Sequence, residues 1–150
     1  MRLACGITAS LLALSACSVP PDSIPVSPTA GPGPATLAAF DAGVIFADVC
    51  LTRGPNFEDA VQGLSGFPFT QNTNTGTFFH NRANLSVKVR PSQCSMVYGT
   101  KAPIDDVFSD LTKGTASVLA GSAPEGINVT SQVAADGVRY FRLGIFSPVQ

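Results

Sequence analysis

The 150-residue chain has no tryptophan, one histidine and only 13% charged residues. These shortages exclude more than they allow. Nine Lys and Arg against ten Asp and Glu leave a net charge of −1, so the basic footprint of a nucleic-acid binder is missing. A lone His80 cannot complete the three or four Cys, His or carboxylate ligands that zinc needs. No G-x-S-x-G elbow presents a nucleophilic serine to that histidine, and no glycine-rich loop offers amides to a phosphate. Glu58 and Glu125 are the only glutamates, and nothing in their placement suggests the paired carboxylates of a glycosidase. Asp105, Asp106 and Asp110 could hold calcium, but the positive end of a helix dipole accounts for the first two without metal. The expectation is therefore no metal, no cofactor and no catalytic residue.

Charge is also missing from Leu3 to Ala16, an apolar run after Met1-Arg2. A spanning helix needs roughly 20 such residues, so the run is too short to serve as an anchor. A positive start, a short apolar body and a small-residue end mark a secretory signal. Its last residues, Leu14-Ser15-Ala16-Cys17, resemble the lipobox of bacterial lipoproteins. That resemblance implies cleavage before Cys17, a diacylglycerol thioether on its sulfur, and acylation of the new amino end, commonly with palmitate. Two or more chains hold a protein stably on a bilayer. Ser18 follows the cysteine where Asp would imply retention at the inner membrane. The resemblance thus implies a lipid-anchored protein of the cell envelope, on the periplasmic face of the outer membrane in a Gram-negative host.

Cleavage would discard Cys5 and lipidation would use Cys17, leaving Cys50 and Cys94. There is no Cys-x-x-Cys spacing, and one histidine is available to activate a thiol, so a structural disulfide is expected in an oxidising compartment. On the chain-entropy model a loop of that length stabilises by roughly 4 kcal/mol.

Residues 17–36 hold Pro20, Pro21, Pro25, Pro28, Pro32 and Pro34. Proline fixes φ and donates no hydrogen bond, so the segment reads as an extended tether with a reach on the order of 50–60 Å. A spacer is the plain reading, and a ligand for a proline-binding partner is the sharper one.

Residues 37–150 read as a single α+β domain, a two-layer fold of about five antiparallel strands with two or three helices on one face. Leu37, Phe40, Val44, Ala47 and Leu51 repeat at helical spacing. Asn56 is a candidate N-cap for a short second helix striped by Phe57, Ala60, Val61 and Leu64. The period then becomes two, predicting strands over 75–81, 82–90 and 93–100. Ile104, Val107, Phe108 and Leu111 predict a helix over 103–113, and two more strands follow over 127–133 and 138–146 around the turn signal Asp136-Gly137. The element order is α-α-β-β-β-α-β-β.

Phe46-x-x-x-Cys50, a short helix, Gly66-Phe67, strands and a second cysteine make an arrangement similar to small uncharacterised secreted proteins of proteobacteria, a likeness that implies no activity. The helix-helix-meander start resembles in architecture the small lipoproteins that decorate the outer-membrane barrel-insertion machine, without their helix motif.

The most distinctive surface is the polar alternation Arg82, Asn84, Ser86, Lys88 and Arg90, with Tyr140 and Arg142 as an extension on the last strand. It reads either as an ordinary solvated sheet face or as a surface for an acidic envelope protein, a lipid headgroup or a polysaccharide. The functional expectation is a non-enzymatic interaction or assembly accessory domain. The alternatives are a periplasmic ligand-binding protein or small hydrolase using His80 and Arg82, and an inhibitor of a foreign hydrolase presenting Gln71–Gly76. On the lipoprotein expectation, Cys17→Ala should free the protein from membranes in a high-salt wash. Retention in the membrane fraction would contradict it.

Overall fold

A computed structural model of the protein describes residues 37–54, 56–121 and 126–147. The signal segment, the lipidation candidate Cys17 and the tether lie outside these residues, as does Glu125. The first helix, α1, spans Ala39–Phe46 and runs on through a π-helical turn at Ala47–Leu51. A short α2 (Ala60–Leu64) leads into four strands, β1 (Phe69–Asn72), β2 (Thr77–His80), β3 (Leu85–Arg90) and β4 (Gln93–Thr100). Then come α3 (Ile104–Val118), β5 (Asn128–Val133) and β6 (Arg139–Phe146). All pairings are antiparallel, in the order β1-β2-β3-β4-β6-β5. The fold is α+β, as expected, with six strands rather than five.

The helices cover one face. Strand residues that meet them share one register parity: Cys94 and Tyr98 of β4 and Phe141 of β6. Phe108 of α3 stands edge-on to Phe141 with ring centres 5.4 Å apart. The Tyr98 hydroxyl donates to the Leu37 carbonyl at 2.7 Å, fastening the chain just before α1 to the sheet. Cys50, in the π-helical turn, is bonded to Cys94. In that turn the Thr52 amide reaches back five residues to the Ala47 carbonyl. The widened turn coincides with the point where the helix is covalently held to the sheet. Phe46, Val49, Phe57, Val87, Met96, Val107 and Phe141 are almost wholly buried between the layers.

Glycine fixes how closely α1 and α3 cross. A Cβ on Gly43 would run into the Leu111 carbonyl, and one on Gly114 into the Phe40 carbonyl. The Thr115 hydroxyl, buried at this crossing, donates to the Leu111 carbonyl at 2.8 Å. This crossing explains why α3 runs to Val118, beyond the expected end at 113. After Leu111 the residues facing α1 are Gly114 and Thr115, which carry no apolar signal.

Three other boundaries differ from expectation. β1 arises where no strand was expected, since Phe69, Thr70, Gln71 and Asn72 do not alternate by polarity. They pair with β2 through a tight turn in which Asn72 Oδ1 accepts from the Asn74 and Thr75 amides. The second helix begins at Ala60, and Asn56 does not cap it. Phe57 instead adopts φ of 55° and is buried, so apolar burial outweighs backbone preference there. Val61, expected on the buried stripe, is exposed. β3 starts at Leu85 rather than at Arg82, and residues 81–84 form a bend.

Gly114→Ala should destabilise the domain by about 1–3 kcal/mol, because backbone on both sides cannot yield. The helix propensity gained by alanine recovers at most about 1 kcal/mol. Urea denaturation measures this, and a midpoint equal to or above wild type would contradict it.

Candidate functional site

With helices on one side, the other face of the sheet is open. The strand pairing arranges it in cross-strand rows. One runs Thr77, Lys88, Ser95, Gly144 and Asn128. The next runs Phe79, Ser86, Val97, Arg142 and Thr130. Beyond the first row, Arg90 pairs with Gln93 and Gln93 with Phe146. Beyond the second, Gly99 pairs with Tyr140. The tyrosine ring lies against Gly99, where any Cβ would strike it.

Long and short side chains alternate along these rows. Ser86 sits between Phe79 and Val97, and Ser95 between Lys88 and Gly144. Thr77, Ser86 and Ser95 are each only 8% exposed, although no helix covers them. They lie low among their cross-strand neighbours, not under a second layer. Their hydroxyls have no hydrogen bond within the described residues, and none is sealed from solvent. The face is thus a hydroxyl-floored surface from which Lys88, Arg90 and Arg142 rise beside Phe79, Val97 and Tyr140.

Its charge is one-sided. The six strands contain Lys88, Arg90, Arg139 and Arg142 and no Asp or Glu. The acids sit elsewhere: Asp41 in α1, Asp48 in the π-helical turn, Glu58 and Asp59 before α2, Asp105, Asp106 and Asp110 in α3, and Asp136 in the β5–β6 turn. Among the described residues the one ion pair is Lys113–Asp110 at 3.4 Å, on α3 itself. The near-neutral protein is therefore polarised, with a basic sheet face and an acidic helix layer.

This arrangement revises the sequence-derived patch. Lys88 and Arg90 lie on the open face as expected. Ser86 lies there too, but buried rather than solvated. Arg82 and Asn84 are not on the strand, because pairing of β2 with β3 stops at Phe79 and Ser86 and the chain bends. Asn84 still borders the face, its Cβ beside Gly99. Arg142 and Tyr140 join the face through β4–β6 pairing. Phe79 and Val97 carry no alternation signal, since Phe79 follows another phenylalanine, Phe78, and Val97 stands between Met96 and Tyr98.

His80, at the end of β2, belongs to the opposite side with Phe78. Its ring stands edge-on to Phe69 at 5.3 Å, and its Nδ1 accepts the Arg82 amide at 3.2 Å. That bond places a ring proton, when the imidazole is neutral, on Nε2. Gln71 and Asn72 lie in β1, so the segment proposed for an inhibitor is a hairpin with a closed turn. Asp105, Asp106 and Asp110 follow one another on α3, and among the described residues no group of three or more His, Cys, Asp or Glu converges as a metal would need. No described helix is long and apolar enough to cross a membrane. No family model, curated protein or solved structure matches the chain.

Burial lowers the His80 pKa below 6.5, and the nearby Arg82 charge lowers it further. The unfolded chain then binds more protons than the folded one as pH falls through 6.5, so this residue subtracts stability on the acid side. A proton-NMR titration should give a His80 midpoint below 6.5. A midpoint at or above that value would contradict the environment described.

Proposed function

We propose that the chain is a membrane-tethered lipoprotein of the cell envelope whose domain is a non-enzymatic interaction or assembly accessory module. Its partner is an acidic envelope protein, docked on the open sheet face. The observation that carries this reading is the charge division: three cations on an uncovered face, with the described carboxylates in α1, the π-helical turn, the segment before α2, α3 and one turn. A surface of one sign steers an oppositely charged partner and rejects partners of its own sign. Phe79, Val97 and Tyr140 beside the cations supply contact area, as the centre of a protein interface requires. The lipobox and the proline-rich tether fit the same reading, since a domain on a long leash can search the space near its membrane.

Native membranes carrying the full-length chain can be crosslinked and the chain recovered, with Lys88→Glu/Arg90→Glu/Arg142→Glu as the comparison. Wild type should recover a specific acidic envelope protein, less of it as salt rises, and the variant should recover none. Equal recovery by the variant, or recovery indifferent to salt, would contradict the reading.

A further inference from the structure

The two edges of the sheet are built differently. β1 is four residues long and follows Pro68, which has no amide to offer a neighbouring strand. β5, at the other edge, is six residues long with every residue exposed: Asn128, Val129, Thr130, Ser131, Gln132 and Val133. It contains no charge and no proline, the usual devices that keep an edge from pairing with another chain. Among the described residues nothing pairs with its free side.

The apolar surface concentrates at the same edge. Val129 and Val133 flank Ser131, which pairs with Phe141, the residue under Phe108 of α3. Ile104 lies one helical turn before Phe108. These four are among the seven large hydrophobic side chains left exposed among the described residues. An open backbone ladder with an apolar flank on one side calls for a strand with the same pattern.

We infer that this strand is the β5 of a second copy, paired antiparallel about a two-fold axis through Ser131. Only a register that keeps both helix layers on one side of the joined sheet lets each set of side chains meet its like, because a one-residue slip would exchange faces. Centred on Ser131, that register sets Val129 opposite the partner copy's Val133 and Thr130 opposite its Gln132. Apolar residues then meet apolar ones toward the helices, and polar ones meet polar ones on the open face. No charge on the strand opposes another. The two β6 strands would stand three strand spacings apart, about 14 Å. Packed helices want about 8–10 Å, so the space between the two α3 helices is left for Ile104 and Phe108 of both copies. The open faces join into one sheet of twelve strands, which doubles the basic surface without covering it. Arg139 reaches β5 near its centre, with Nη1 3.5 Å from Ser131 Oγ. Both copies bring this cation toward the axis, so salt should tighten the association. The acidic-partner contact responds to salt in the opposite sense, which separates the two ideas.

The test is cysteine crosslinking of the full-length chain in native membranes, with copper–phenanthroline as the oxidant. Ser131→Cys should give a disulfide-linked band at twice the chain mass, in higher yield as salt rises. Asn128→Cys, six residues out of register with itself, should give none. Val129→Cys and Val133→Cys, co-expressed, should crosslink to each other. No dimer from Ser131→Cys, or equal yields from Ser131→Cys and Asn128→Cys, would overturn the inference, since both substitutions are at exposed positions that the fold tolerates.

Discussion

The close crossing of α1 and α3 organises this domain. Gly43 and Gly114 bring the two backbones together, so the helices form a narrow layer rather than a broad one. That layer lies on one sheet face, where Phe69 of β1 and Phe78 of β2 also pack against the core. The Cys50–Cys94 bond and the Tyr98–Leu37 hydrogen bond hold α1 over β4, and Phe108 holds α3 over β6. The other face and the β5 edge are left to solvent or to partners. Both functional readings follow from where this layer ends.

The open face is more ordered than its exposure suggests. Three hydroxyl residues are nearly buried on it, and Gly99 lies under the Tyr140 ring. Lys88 and Arg142 stand on this same face. No carboxylate lies within the strands to neutralise them. That the described acids all lie outside the strands is a separate feature of the sequence, invisible in a net charge of −1.

Much of the fold was legible in the chain. The 93–100 strand, the disulfide and the α+β class follow from period-two alternation, cysteine elimination and the change of period. The misses have physical causes. β1 has no alternating pattern because it lies at an edge, where burial does not demand one. The end of α3 was hidden because a glycine contact between helices carries no hydrophobic signal. Arg82 and Asn84 continued the polar alternation of β3 in sequence, although the backbone bends before the strand begins. Ser86 looked solvated because polarity alone does not say how long the cross-strand neighbours are. The cations of the open face were legible, Lys88 and Arg90 on β3 and Arg142 on the last strand, while Phe79 and Val97 beside them were not.

The proposed acidic partner docks on the sheet face, and not on the helix layer or the His80 corner. Amide NMR spectra of the protein titrated with poly-glutamate would test it most directly. Salt-sensitive shifts should concentrate at Ser86–Arg90, Ser95–Val97 and Tyr140–Gly144. Shifts confined to the helices, or centred on Phe69, His80 and Arg82, would contradict it.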